Sequence, residues 1–144
     1  MSATAQHLRI GELASAAGTT TRTVRYYEEI GLLPGSAPRP AGSHRLYEQA
    51  DLERLREIVR LRDLLGVPLE QLKELVEAED ARAALRAEYV QTEDRNRRAE
   101  ILAETLGHLD RQLELVRGRT AELQSLEQDL VARRRRVSGR IRSR

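Results

Sequence analysis

A group of arginines and tyrosines in the first third of the chain has the types and spacing to bind nucleic-acid phosphates. Residues 22–27 read Arg-Thr-Val-Arg-Tyr-Tyr and supply guanidinium, hydroxyl and phenol donors within two helical turns. Donors held in such an array position a protein on phosphates, and a guanidinium at the exposed start of a helix can reach a guanine edge. We therefore expect Arg25 and Tyr26 to donate to phosphates and Arg22, beside Thr23, to read a base. A Tyr-Tyr pair taken alone more often packs in a core, but the neighbouring arginines favour the functional interpretation.

The composition offers no comparable set of residues for catalysis or metal binding. The chain has no cysteine, and His7, His44 and His108 are too far apart to form a chelating motif. It has no nucleophile-elbow motif and no phosphate-binding glycine loop. We predict no enzyme activity, no cofactor and no soft-metal sensing site, and the sequence identifies no small-molecule effector.

Two short helices are predicted to position the donors. The segment from Ile10 to Gly18 is typical of a short helix that ends at the glycine. Thr20 is a suitable N-cap for a second helix, in which Val24 and Ile30 recur at helical spacing before Gly31. Two short helices around a glycine-containing turn form a helix-turn-helix, whose second helix enters the major groove of DNA.

The next segments complete the predicted domain. Prolines and glycines between residues 33 and 47 exclude a helix and favour a wing-like loop, with Arg39 and Arg45 flanking its tip. Asp51 is the predicted N-cap of a third helix that ends at Gly66, and Pro68 suits the first turn of a fourth. We expect the apolar faces of these helices to close one small core with the first two.

The last part of the chain is predicted to form one long helix over residues 81–132, with a heptad seam that starts near Ala99. The seam residues are separated by alternating steps of three and four, which is typical of a coiled coil. The seam residues assigned to dimerisation are Leu102, Leu106, Leu109, Leu113, Val116 and Leu123. Residues 133–144 contain seven arginines and no acidic residue, so we predict a basic, disordered tail.

Three linked motifs resemble the signature of the MerR family of transcription regulators. They are Ile10-Gly-Glu-Leu-Ala, the run Thr23-Val-Arg-Tyr-Tyr-Glu-Glu-Ile-Gly-Leu-Leu33, and His44-Arg-Leu-Tyr47 leading into Asp51-Leu52. The resemblance covers about the first 80 residues, and the order and spacing of the motifs make it far more specific than a bare helix-turn-helix. It implies a mainly α fold: a winged helix-turn-helix DNA-binding domain over residues 1–80, followed by a long coiled-coil dimerisation helix.

The resemblance also implies roles for individual residues. It places Tyr27 near the DNA backbone and the boundary of the core, Arg45 against phosphates, and Arg39 at a basic position earlier in the wing. Ser43 and His44 stand where family members usually have Gly-Tyr, so the wing departs from the pattern, although His44 can still donate to a phosphate.

The function implied by the resemblance is transcription regulation by a cytoplasmic homodimer. Antiparallel packing of the long helices would present two recognition helices to a palindromic promoter operator on double-stranded DNA. Family members activate by bending and untwisting the promoter for RNA polymerase. Two alternatives remain open at this point: an architectural or recombination-accessory DNA-binding protein, and a coiled-coil interaction protein that has lost DNA binding. No segment is apolar enough for a signal peptide or a membrane span.

Overall fold

The computed structural model describes residues 7–34 and 45–143, and these residues form five helices. The helices are α1 (Ile10–Ala17), α2 (Thr21–Glu29), α3 (Gln49–Leu65), α4 (Leu69–Gln91) and α5 (Arg95–Arg142). The only β pairing among the described residues is one antiparallel bridge between Leu8 and Tyr47. The predicted mainly α fold class is therefore confirmed. No helix in the described ranges is long and apolar enough to cross a membrane.

The chain divides into two compact units, Met1–Glu77 and Ala78–Arg144, here called the first unit and the second unit. In the first unit α1 packs against α2 and α3. The buried side chains that form its core come from all four of its helices and from the segments between them. They are Leu13, Ala14, Val24, Tyr27, Leu32, Leu33, Tyr47, Leu52, Leu55, Ile58, Val59, Leu72 and Val76.

The starts and ends of α1 and α2 follow the sequence prediction. Gly18 follows α1 with a left-handed φ of 72°, a conformation that disfavours any residue with a Cβ. The hydroxyl oxygen of Thr20 accepts a hydrogen bond from the backbone N–H of Thr23 at 3.1 Å, so Thr20 is the N-cap of α2. The turn between the two helices thus depends on one glycine and one capping threonine.

The predicted start of α3 is wrong by three residues. The N-cap is Glu48, and Asp51 is the third residue of the helix. The Asp51 carboxylate accepts a hydrogen bond from the backbone N–H of Glu48 at 2.9 Å, which is the second half of a capping box. The sequence analysis identified the residue that satisfies the helix terminus but placed it at the cap itself.

The second unit contains a helical hairpin where the sequence predicted one continuous helix. α4 ends at Gln91, residues 92–94 form the turn, and Asp94 caps α5 by accepting a hydrogen bond from the backbone N–H of Asn96 at 2.9 Å. Leu85 and Ile101 are buried. The prediction failed because the turn contains no proline or glycine, and only the capping aspartate indicates it.

The basic C-terminal segment is helical up to Arg142, so the disorder predicted after residue 132 is wrong for the described part of that segment. Arginine has a high helix propensity, and cations near a helix C-terminus interact favourably with the helix dipole. Arg140 and Arg142 lie in the last turn. α5 therefore extends well beyond the predicted heptad seam.

Candidate DNA-binding surface

One face of α2 is exposed and cationic, while the opposite face is buried in the core. Val24 and Tyr27 are buried, whereas Arg22, Arg25 and Tyr26 are exposed. The exposed residues lie three or four positions apart, which places them side by side on the helix surface. Together with Thr23 and Glu29 they line one shallow, open groove.

The two arginines of this face are available to an anionic ligand. Among the described residues, neither Arg22 nor Arg25 has a hydrogen bond or an ion pair. Tyr26 keeps 47% of its surface exposed, which leaves its phenol accessible to solvent. The structure therefore brings Arg22, Arg25 and Tyr26 together as the sequence predicted, in an arrangement suited to phosphates and base edges.

Thr23 has a structural contact as well as a place on this face. Its hydroxyl lies 3.0 Å from the hydroxyl of Thr20, and its backbone N–H donates to the same oxygen. The side chain is half-buried. Thr23 therefore helps to fix the first turn of α2, from which Arg22 projects.

Tyr27 belongs to the core, which corrects its predicted place among the DNA-contacting residues. Only 4% of its surface is exposed, because it lies on the same side of α2 as Val24. Its hydroxyl oxygen accepts a hydrogen bond from Nη1 of Arg62 at 3.3 Å, and this bond raises the pKa of the Arg62 guanidinium. The ring stabilises the packing of α2, and the hydroxyl is bound within the protein.

Arg45 is held by three groups of the first unit. Its Nη1 donates to Oε2 of Glu28 at 3.2 Å and to the carbonyl oxygen of Pro34 at 2.8 Å. The guanidinium also lies 4.7 Å from the centre of the Tyr47 ring, a cation–π distance. Only 16% of the Arg45 side chain is exposed. The predicted wing arginine therefore has a positioning role between the end of α2 and the start of α3.

Glu28 joins two residues of the segment that precedes α3. One carboxylate oxygen pairs with Arg45, and the other accepts a hydrogen bond from the Tyr47 hydroxyl. Backbone hydrogen bonds of 2.8 Å and 2.7 Å pair Tyr47 with Leu8. This network fixes the orientation of α2 relative to both segments. The other predicted wing residues, Arg39 and His44, lie outside the described residues.

Two acidic residues of this region were missed by the sequence analysis. Glu28 lies four residues after the buried Val24, and a carboxylate at that spacing from a core residue needs a partner. That spacing was the signal available in the sequence. Glu29 lies in the exposed groove beside Arg25 and Tyr26, where its negative charge limits how many phosphates the surface can accept. Nothing in the sequence separated Glu29 from an ordinary surface residue.

The residues assigned to dimerisation form an unpartnered apolar stripe on α5. Leu102, Leu106, Leu113, Val116 and Leu123 are exposed, and Leu109 is half-buried. The exposed apolar side chains continue beyond the predicted seam with Leu126, Leu130, Val131, Val137 and Ile141. A stripe of this length on one helix is typical of a surface that another helix covers.

The fold and the cationic face of α2 define a helix-turn-helix DNA-binding protein with a long C-terminal helix. Residues 8–79 match the model of the MerR HTH family of regulatory proteins. The transcriptional regulator YfmP of Bacillus subtilis is 32% identical over 123 residues, which are 85% of this chain and 87% of YfmP. The transcriptional activator TipA of Streptomyces coelicolor is 44% identical over 82 residues, and the match spans 56% of this chain but only 32% of TipA.

A solved structure has the same fold. It is HiNmlR, described as a MerR family regulator that lacks the sensor domain, bound to promoter DNA. The match has a TM-score of 0.52 and 20% identity, and it covers 89% of this chain and 87% of HiNmlR.

The chain belongs to the MerR family. It is a DNA-binding transcription regulator, as the resemblance in the sequence implied, and the regulatory role of its relatives confirms that it is not an enzyme. The relatives likewise favour a regulator over the architectural alternative.

Proposed function

We propose that the protein binds a palindromic promoter operator as a homodimer and regulates transcription from it. The observation that carries the proposal is the exposed face of α2, where Arg22 and Arg25 have no partner among the described residues. Arg22 lies in the first turn of the helix and reads a base edge. Arg25 and Tyr26 donate to phosphates and fix the position of the helix on the duplex.

The exposed stripe of α5 supports the homodimer. Leaving a row of leucines in water is unfavourable, and pairing with the same stripe of a second chain removes it from solvent. A two-fold dimer presents two copies of α2 related by the same symmetry, so the operator has two symmetry-related half-sites. Linking the half-sites raises affinity because the second contact is intramolecular.

Regulation follows from a change of promoter shape, and RNA polymerase is the partner that responds to it. A dimer that holds two half-sites on one side of the duplex gains contacts when the DNA bends and untwists, and the cost depends on the sequence between the half-sites. The resemblance to HiNmlR, whose structure holds promoter DNA, supports this view of the target.

Selection of duplexes from a random DNA library tests the proposal. Immobilised full-length protein should enrich a two-fold symmetric motif, and a reporter gene with that motif in its promoter should change expression when the protein is present. Arg22→Ala should enrich a motif that is relaxed at one symmetry-related pair of positions. Enrichment of no motif, or of an asymmetric one, would contradict the proposed operator.

A further inference from the structure

We infer that the two α5 helices of the dimer pair antiparallel with Val116 on the two-fold axis. This inference rests on the proposed homodimer and specifies which residues meet in it. Three independent features of the second unit support this register: the spacing of the exposed apolar residues, the positions of two surface grooves, and the charges in those grooves.

The apolar residues of α5 are arranged symmetrically about Val116. Leu109 and Leu123 each lie seven residues from it, Leu106 and Leu126 ten, and Leu102 and Leu130 fourteen. In an antiparallel pair with Val116 on the axis, each of these leucines faces the leucine at the same distance on the other chain. The one interruption is Leu113, which faces Arg119 next to Thr120. A shift of the axis by one or two residues would replace most of these leucine pairs with pairs between leucine and a polar residue.

Two surface grooves of the second unit correspond under the same symmetry. The hairpin groove is lined by Arg82, Arg86, Tyr89, Ile101, Leu102 and Thr105. The distal groove is lined by Leu123, Leu126, Glu127, Leu130, Val131 and Arg134. The α5 residues of the hairpin groove, at positions 101, 102 and 105, face positions 131, 130 and 127, all of which line the distal groove. Each groove therefore receives the other at both ends of the dimer.

The charges of the two grooves are complementary. Arg86 and Glu127 are exposed, and neither has an ion pair within the described ranges. Arg82, in contrast, is bound to Glu79 and to Oε1 of Gln112 at 3.0 Å. In the inferred register Glu127 lies opposite Thr105, in the groove that contains Arg86. The structure thus supplies an unpaired cation on one side of the contact and an unpaired carboxylate on the other.

A parallel arrangement of the same helices lacks this complementarity. In register, it would place Glu127 beside Glu127 and the arginine run 133–136 beside its own copy. Like charges placed together oppose association. The antiparallel arrangement separates the two arginine runs, because Leu102 and Leu130 are about 42 Å apart along the helix at 1.5 Å per residue.

Disulfide cross-linking tests the register directly, because the chain has no cysteine of its own. Full-length Leu102→Cys and Leu130→Cys proteins are oxidised separately and as a mixture. The inferred register predicts a disulfide-linked dimer in the mixture and none with either protein alone, whereas Val116→Cys should link to itself. Self-linking by Leu102→Cys, or a mixture that stays unlinked, would overturn the register.

Charge reversal gives a second test that does not depend on disulfide geometry. Arg86→Glu and Glu127→Arg should each weaken the dimer severalfold in sedimentation equilibrium, and the double variant should recover most of the loss. Arg95→Glu, an exposed change of the same charge, is the control and should leave association unchanged. Lack of recovery in the double variant would contradict the contact. A dimer that fails these tests overturns the register alone, whereas a monomeric wild-type protein overturns the proposed homodimer.

Discussion

Arg22 and Arg25 lie on the same exposed face of α2, yet their positions predict different effects on DNA binding. Arg22→Ala should cost about 1–3 kcal/mol on the selected operator and relax selection at one base position, because a bidentate contact to a base edge is lost. Arg25→Ala should weaken binding to operator and random duplexes by similar factors, because phosphates carry no sequence information. Competition titrations at fixed salt measure both effects.

The matched control for these variants is Arg95→Ala, which removes an exposed arginine from the start of α5. It should change neither the affinity for the operator nor the preference for it over random DNA. An equal loss of operator and random binding with Arg22→Ala would show that Arg22 contacts phosphates only.

Glu28 and Glu29 are adjacent carboxylates with different surroundings. Glu28→Ala should lower the free energy of unfolding by about 1–3 kcal/mol, because Arg45 and the Tyr47 hydroxyl lose their common partner. Glu29→Ala removes an exposed carboxylate from the same helix and should change the free energy of unfolding by less than about 0.5 kcal/mol. Urea denaturation of the two variants compares them. Equal effects would contradict a structural role for the Glu28 network.

The sequence predicted contacts between near neighbours better than contacts between distant ones. The Thr20 cap and the exposed arginines of α2 follow from local spacing, and the structure contains both. Tyr27 and Arg45 were assigned to DNA because their types suit phosphates. Their contacts come from Arg62, 35 residues away, and from Glu28, 17 residues away, so helical periodicity alone does not predict them.

At the scale of elements, the hairpin of α4 and α5 depends on a cluster of charges near its turn. Nε and Nη2 of Arg97 donate to the two carboxylate oxygens of Glu88 at 2.5 Å and 2.7 Å, and Nη1 lies 3.2 Å from oxygens of Glu100 and Glu104. The hydrogen bonds from Arg97 hold the pKa of Glu88 below its usual value of 4.5. The cluster connects the last turns of α4 to the first turns of α5.

The stability of the hairpin should therefore depend on pH in the acidic range. Because the pKa of Glu88 is lower in the folded chain than in the unfolded chain, its contribution is present above the unfolded pKa and is lost as the pH falls through the folded pKa. Arg97→Ala should return the pKa of Glu88 towards its usual value, and Arg95→Ala should leave it unchanged. Carboxyl-detected NMR titration measures both. An unchanged pKa in Arg97→Ala would contradict the pairing.

Element boundaries were predictable where a glycine or a cap indicates them, and the hairpin turn was not. Gly66, with a left-handed φ of 59°, ends α3 as predicted. Thr92-Glu93-Asp94 looks like part of a charged helix, and the structure breaks there because Leu85 and Ile101 become buried when the chain reverses. Burial by tertiary contacts overrides helix propensity at such a site.

At the scale of the whole molecule, the apolar stripe of α5 should determine the oligomeric state. Leu109→Asp with Leu113→Asp places two carboxylates on a surface that the proposed dimer desolvates, so the protein should become monomeric and lose tight operator binding. The control is Ala121→Asp with Ser125→Asp, which adds two carboxylates at the same spacing on exposed positions outside the stripe. Sedimentation velocity and circular dichroism distinguish dissociation from unfolding. A folded dimer with Asp at positions 109 and 113 would remove this segment from the interface.

Titration of the selected operator with purified protein tests the central claim, that two linked chains read two related half-sites through α2. The stoichiometry and affinity are measured on the intact operator and on a duplex in which one half-site is scrambled. The account predicts two chains per intact operator and a large loss of affinity when either half-site is scrambled, because the linked second contact is lost. One chain per operator, or equal affinity for the intact and half-scrambled duplexes, would contradict it.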